Sequence, residues 1–257
     1  MRNGKAKKRR PRAASGHVGN GLPSRRALER ALAAAGDPRR AVGVAKFFKT
    51  GKGEYGEGDR FIGIKVPALR AIAHQYVGLG FGDLSILLAS PIHEYRLAAL
   101  EILVAQFERG DEARRERIVS FYLRQTSRMN NWDLVDAAAP YILGEHLKAR
   151  PRQVLDRLSK SRNLWERRIA IVSTLALIRD GEIAETYRIA GKLLADEHDL
   201  IHKAVGWALR ETGKVSTEEL TAFLRENYQR IPRTALRYAI ERFPAAQHKR
   251  MLAGEFS

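Results

Sequence analysis

Apolar residues recur at three- and four-residue spacing from Ser24 onward, and no sustained two-residue alternation interrupts them. Leu97, Leu100, Ile102 and Leu103 form one such run, and Ile169, Ile171, Val172 and Leu175 another. A period near 3.6 selects helices over strands, whose side chains alternate every second residue. Turn signals punctuate the pattern at Gly36-Asp37-Pro38, Ser90-Pro91, Gly110-Asp111, Pro140, Pro151, Gly181, Gly213 and Pro232. They arrive about every 12 to 20 residues, so the helices are short. Short antiparallel helices paired at a period near 40 residues are the mark of HEAT-like solenoids. Some 230 residues at about 40 per pair make roughly six pairs. The expectation is an all-α, HEAT-like helical-repeat solenoid over residues 24–257, with an irregular helical bundle as the structural alternative.

Residues 1–23 read as a separate segment, a disordered basic N-terminal arm. Arg2, Lys5, Lys7, Lys8, Arg9, Arg10 and Arg12 occur there with no acid, and Gly, Pro and Ser follow. Like charges repel and little apolar surface is available to offset the entropy of ordering. Such an arm suits a solubilising tail, a phosphate-gripping extension or a nuclear-import signal. The whole chain of 257 residues carries a formal charge of +17, which favours a polyanionic partner, nucleic acid before an anionic membrane surface. There is no cysteine, which excludes disulfides, thiolate zinc sites and cysteine nucleophiles. No apolar run approaches the roughly 18 residues of a membrane span, and no signal-peptide core follows the basic segment. The expected location is therefore the cytoplasm, close to the nucleoid in a bacterium, or the nucleus in a eukaryote.

Three short segments carry candidate chemistry. In Asn130-Asn131-Trp132-Asp133-Leu134-Val135-Asp136, a helical wheel places Asp136 about 40° from Trp132, with Leu134, Val135 and Ala138 on the far side. An indole on the non-core face beside a carboxylate, in so cationic a chain, is the leading candidate site. In the helix beginning near Asn163, Arg168 falls inside the apolar stripe centred on Leu175. A guanidinium there either belongs to a buried ion pair or projects over a groove at a phosphate; left unpaired it would cost about 3–5 kcal/mol. In His198–Arg210, Lys203, Trp207 and Arg210 fall within about 60° of one another, away from Ile201, Ala204, Val205 and Ala208. That grouping suits either stacking of a nucleotide between cations or an indole lying over its own cationic neighbours. His198 and His202 have the spacing of a metal pair, but no third ligand accompanies them and first-turn roles explain both. Arg230, Arg233 and Arg237 form a further basic stripe near Pro232, a solvated face or part of a phosphate-tracking groove. The segment Lys49–Arg60 contains Gly51-x-Gly53-x-x-Gly56, but Phe47-Phe48 ends a helix and Val66-Pro67 delays the next, so a dinucleotide site is rejected. With Lys49, Lys52, Tyr55 and Arg60 in it, this loop is either a plain connector or an approach to a backbone phosphate.

Taken together, these stretches resemble the AlkD-like DNA alkylation repair family of HEAT-like DNA glycosylases, from about Val42 to Phe243. The matching segments are Phe47-Phe48-Lys49-Thr50-Gly51-Lys52-Gly53-Glu54-Tyr55-Gly56, Phe61–Pro67, Asn131–Asp136, Leu164–Arg168 and His202–Trp207. The resemblance implies a C-shaped solenoid whose concave basic face holds duplex DNA containing alkylated purines. It also implies a catalytic Asp at Asp136, lesion-flanking tryptophans at Trp132 and Trp207, and a DNA-contacting arginine at Arg168. Lys203, Arg210, Arg233, Arg237 and Lys52 are expected to add phosphate contacts.

The implied reaction is release of 3-methyladenine or 7-methylguanine by a monofunctional glycosylase, within base excision repair. Such bases are cationic and leave as neutral molecules, so charge develops on the sugar and one preorganised carboxylate suffices to stabilise it. No metal and no organic cofactor is called for, and a concave groove needs no partner subunit, so a monomer is expected. For this chemistry the Asp136 carboxylate must face the groove and must not be locked in a buried ion pair. The alternatives are a non-catalytic DNA-binding protein that recognises damaged or branched DNA, and a protein-interaction scaffold.

Overall fold

The computed structural model describes residues 24–256, and over that span it is helical, with one isolated parallel bridge between Arg60 and Ile92 and no strand. The expected arm of residues 1–23 lies outside the described residues. Helices α1 (Arg25–Ala34) and α2 (Pro38–Phe47) precede the glycine-rich loop; α3 (Val66–Ala73), α4 (Phe81–Leu88), α5 (His93–Arg109) and α6 (Glu112–Arg124) follow it. Then come α7 (Trp132–Ala138), α8 (Glu145–Leu147), α9 (Gln153–Ser159), α10 (Leu164–Ser173) and α11 (Leu175–Arg179). The order ends with α12 (Ala184–Leu193), α13 (Asp199–Thr212), α14 (Thr217–Asn227), α15 (Arg233–Ala239) and α16 (Ala245–Leu252).

Most turn signals act as their chemistry dictates. Asp37 caps α2, accepting from the Arg39 and Arg40 N–H groups, and Pro38 opens that helix without wasting a donor. Asp111 caps α6 through the Arg114 N–H, and Gly181 turns between α11 and α12 at φ 84°. Pro140 behaves differently from the expected break. The chain passes straight through it, from α7 into a π-helical turn (Pro140–Gly144) and on into α8. Widening the turn lets the Gly144 N–H donate to the Ala139 carbonyl at 2.9 Å and relieves the ring's clash with the carbonyl four residues back, that of Asp136.

Helices α5, α7, α10, α13 and α15 stack in that order as a spine, with α3, α4, α9 and α12 packed against it. The core lies along this stack: Leu134, Val135, Ala138, Ile169, Ile171, Val172, Ile201, Ala208 and Leu236 are fully buried. Side-chain contacts between successive layers of the α7–α15 part link residues about 32 apart, as in Arg168 to Asp136 and Arg210 to Glu241, which are 32 and 31 apart. That step is shorter than the expected 40 because the spine helices here run only 7 to 14 residues. Close layer contact needs small residues. A Cβ on Gly206 would stand 2.5 Å from the Ala235 carbonyl oxygen, so glycine lets α13 and α15 touch directly beside Trp207. This is an all-α helical-repeat fold.

Candidate active site

Stacking α7, α10 and α13 brings the three sequence segments to one cleft of about 740 Å³. Trp132 and Asp136 reach it from α7, Arg168 from α10, and Lys203, Trp207 and Arg210 from α13. The wheel reading of each helix is upheld, since Leu134, Val135, Ala138, Ala204, Val205 and Ala208 are all buried on the opposite side. Both tryptophans are half-buried, with their bodies packed on the core. Trp132 is braced by Phe47 and Phe48, with ring centroids 6.0 and 5.3 Å away.

Asp136 and Arg168 meet. The Arg168 Nε donates to Asp136 Oδ1 at 2.8 Å and an Arg168 Nη donates to Oδ2 at 2.7 Å, a two-point pair. The other Nη donates to the Leu200 carbonyl at 2.7 Å, which ties α7, α10 and the start of α13 together. Of the two expectations for Arg168, the buried ion pair is what the structure shows. The Asp136 carboxylate satisfies one half of its requirement and fails the other. It faces the cleft, with 19% of its side chain exposed, but its charge is matched by Arg168, which is only 6% exposed. Burial pushes the Asp136 carboxyl above the usual aspartate range, against the opposing pull of Arg168.

Two further cations of the cleft, Lys203 and Arg210, are also engaged. Lys203 is paired with Asp199 at 2.7 Å, and that hydrogen bond raises its ammonium above the ordinary lysine value, so it stays charged. Arg210 is paired with Glu241, just past the end of α15. Lys49, Arg168, Lys203 and Arg210 line the cleft against Glu54, Asp136 and Asp199, so the cleft is only weakly basic. Much of the chain's +17 lies elsewhere, and seven of those charges belong to the arm of residues 1–23.

Three expected contacts lie off the cleft. Arg233 is exposed and donates to the Leu252 carbonyl at 2.7 Å; Arg237 and Lys52 are exposed, and none of the three lines the cavity. His198 and His202 take the first-turn roles. The His198 Nδ1 accepts from the Leu200 N–H at 3.1 Å, and the His202 Nε2 sits 2.5 Å from the Asp196 carbonyl. Among the described residues no group of three or more metal-ligating side chains assembles.

Lys49 and Tyr55 of the glycine-rich loop line the cleft, as do Phe47 and Tyr238, to which the sequence assigned no role in it. Phe47 is 65% exposed, a large apolar ring offered to solvent at the cleft's edge. Tyr55 rides on the glycine-rich loop and packs edge-on against Trp165 at 5.7 Å. Lys49 takes a positive φ of 51°, uncommon for a side-chain-bearing residue, and so turns the chain out of α2 toward the cleft. Its signal in the sequence was the Phe-Phe-Lys-Thr-Gly run, read for composition rather than for a turn.

Fold and site together define a helical-repeat protein with a broad cleft walled by aromatic rings around one arginine-paired carboxylate. A sequence model of the DNA alkylation repair enzyme family matches residues 28–243, and the chain belongs to that family. The fold is similar to that of a "Predicted DNA alkylation repair enzyme from Enterococcus faecalis", with a TM-score of 0.64 and 18% sequence identity. That likeness covers 82% of this chain and 97% of the other. No curated protein matches the chain. Family membership gives the protein a role in DNA alkylation repair. No helix among the described residues is long and apolar enough to cross a membrane.

Proposed function

We propose that this protein is a monofunctional DNA glycosylase that releases cationic N3- and N7-alkylated purines, 3-methyladenine and 7-methylguanine, from duplex DNA. The observation that carries the reading is the Asp136 carboxylate facing a cleft between Trp132 and Trp207. In this reaction the N-glycosidic bond breaks with its electron pair moving onto the base, which departs neutral. Positive charge grows on the deoxyribose, where the two indole faces and the carboxylate stabilise it. Water adds to the anomeric carbon and its proton passes to Asp136 or to solvent, leaving an abasic site. The site acts as a monomer and without a cofactor.

The Arg168 pair sets a condition on this mechanism. A carboxylate matched by a guanidinium offers little net field to a developing cation, so the free protein holds Asp136 in check. A duplex phosphate competes for the same guanidinium. When the phosphate takes a share of Arg168, the Asp136 charge is no longer fully offset, and its field reaches the bound sugar, whose growing positive charge keeps the carboxyl ionised. Lys203 and Arg210 exchange their own carboxylate partners for flanking phosphates in the same way, fixing register without reading sequence.

Base release from methylated duplex DNA tests the proposal. Wild-type protein should free 7-methylguanine or 3-methyladenine whether or not EDTA is present. Asp136→Asn should lose about 10²–10³-fold in rate, about 3–4 kcal/mol in the barrier. Full activity in that variant would remove the assigned chemistry. A second reading, a non-catalytic protein that binds damaged or branched DNA, is favoured by the occupied state of Asp136. It requires salt-sensitive binding, no base release, and affinity indifferent to Asp136→Asn.

A further inference from the structure

A second charged cluster lies behind Trp132, away from the cleft. His93, the first residue of α5, is 2% exposed and both its ring nitrogens face carboxylates. Its Nε2 is 2.7 Å from Asp133 Oδ2, and its Nδ1 is 3.6 Å from Asp59 Oδ2. Asp59, 4% exposed, also takes an Arg96 Nη at 2.6 Å and the Asn130 side-chain N–H at 2.9 Å. Asn130 in turn accepts from Arg96 at 2.9 Å, which closes a ring of hydrogen bonds among Asp59, Arg96 and Asn130. The imidazole packs against Phe61 and Phe48, with centroids 4.7 and 5.2 Å away.

These residues come from both ends of the glycine-rich loop, from the start of α5 and from the start of α7. Phe48 is the entry to the glycine-rich loop and Asp59 is its exit, while Asp133 follows Trp132 directly in α7. Backbone bonds anchor the exit, with the Arg60 N–H donating to Pro91 and the His93 N–H donating to the Arg60 carbonyl, at 2.9 and 2.8 Å. His93 therefore touches both ends of the loop and the α7 turn holding Trp132. A cation at a helix N-terminus sits in an unfavourable field, so its charge depends on those two carboxylates. With His93 protonated, two cations (His93, Arg96) face two anions (Asp59, Asp133). Without that proton one buried negative charge is left over. Two further charged groups lie close by. Glu94 is held by the Ile62 and Gly63 N–H groups, and Arg40 of α2 is exposed beside a hollow that His93, Phe48 and Phe61 also line.

We infer that His93, as an imidazolium, is a positioning residue that clamps the glycine-rich loop and Trp132 into the geometry the cleft needs. This inference rests on the glycosylase reading for its effect on rate, but its structural half stands apart from it. Burial opposes the charge on His93, yet the hydrogen bonds to Asp133 and Asp59 outweigh it and raise its pKa to about 8. Burial acts against Asp59 as well, and His93, Asn130 and Arg96 hold its carboxyl below the usual range. The sign follows from linkage. A histidine raised above its ordinary 6.5 contributes its full stabilisation below that value and loses it as pH rises through about 8.

The test is fluorine NMR of the full chain labelled with 5-fluorotryptophan, whose three resonances are assigned by single Trp→Phe variants. The Trp132 resonance should titrate with a midpoint near pH 8, and the Trp207 resonance should not follow it. In His93→Gln the Trp132 titration should vanish. Should that variant not fold, Asp133→Asn should move the midpoint well below the wild-type value. Single-turnover base release should fall about tenfold from pH 7 to pH 9 in wild type, in step with the loss of the proton. It should be flat over that range in His93→Gln. A Trp132 resonance that does not titrate, or one that titrates identically in both variants, overturns the inference. A normal titration with no base release at any pH upholds the clamp and instead sinks the glycosylase reading.

Discussion

Arg167 and Arg168 are neighbours on α10, each forms a two-point pair with an aspartate, and only one of the two pairs borders the cleft. Arg167 holds Asp196 at 2.5 and 3.3 Å, and the same carboxylate accepts from the His198 N–H at 2.9 Å. Asp196 is 6% exposed, and its carbonyl meets His202. It braces the turn between α12 and α13 against α10. Asp136 takes one bond on each oxygen from Arg168 and keeps a 19% exposed face on the cleft. The two pairs thus differ: Asp196 is buried and also accepts a backbone N–H, while Asp136 depends on a single side-chain partner that a phosphate can replace. A pair that can be opened by a ligand is a candidate for chemistry, and one that cannot is architecture.

The largest effect expected from breaking this comparison is on folding. Arg168→Ala leaves a largely buried carboxylate without its counter-ion and should lower unfolding stability by about 3–5 kcal/mol near neutral pH. The deficit should shrink in acid. Asp136 already has its pKa raised by burial, and losing Arg168 removes what holds it down. A carboxyl whose folded pKa lies above its unfolded one favours folding at low pH and loses that contribution as pH rises through the folded pKa. Urea unfolding of Arg168→Ala at pH 5 and pH 8 should therefore show a smaller loss at pH 5. An equal loss at both would mean that Asp136 is not the group left stranded.

The catalytic contrast comes next. Asp136→Asn should lose about 10²–10³-fold in base release. Asp196→Asn should cost stability, about 3 kcal/mol, while leaving the rate of base release in the folded fraction within a factor of about two. Comparable rate losses in both variants would dissolve the distinction between the reactive pair and the brace, since each would then act through the fold.

Much of the cleft was legible because helix faces can be counted. The 100° step separated Trp132 and Asp136 from Leu134 and Val135, and it grouped Lys203, Trp207 and Arg210, all of which line one cavity. The misplacement of Arg168 in an apolar stripe flagged a buried charge, but its partner lies 32 residues away. That pairing depends on the register between layers, which periodicity within one helix does not carry. The same limit explains Arg233 and Arg237, whose stripe was visible while the direction it faces was not. Pro140 read as a stop because its missing N–H forbids an ordinary α-turn, and a π-turn is the less common way to accommodate it. Lys49 and Tyr55 were read only as part of a loop that connects or approaches a phosphate, since a loop's side-chain directions follow from turns such as the positive φ at Lys49, not from spacing.

The smallest effect sharpens where the DNA lies. Lys203 lines the cleft but is shared with Asp199, whereas Lys52 is exposed on the glycine-rich loop and does not line the cleft. Static geometry favours Lys52 as the freer cation. Proximity favours Lys203, since a phosphate beside Trp207 would draw it from Asp199 as it draws Arg168 from Asp136. Each phosphate contact adds about 0.9 to the slope of log affinity against log salt. Lys203→Ala should reduce that slope by about this amount on methylated duplex, with Lys52→Ala changing it by less than about 0.3. The reverse order would move the DNA from the cleft onto the loop, and Asp136 would then lie too far from the sugar to be its electrostatic partner.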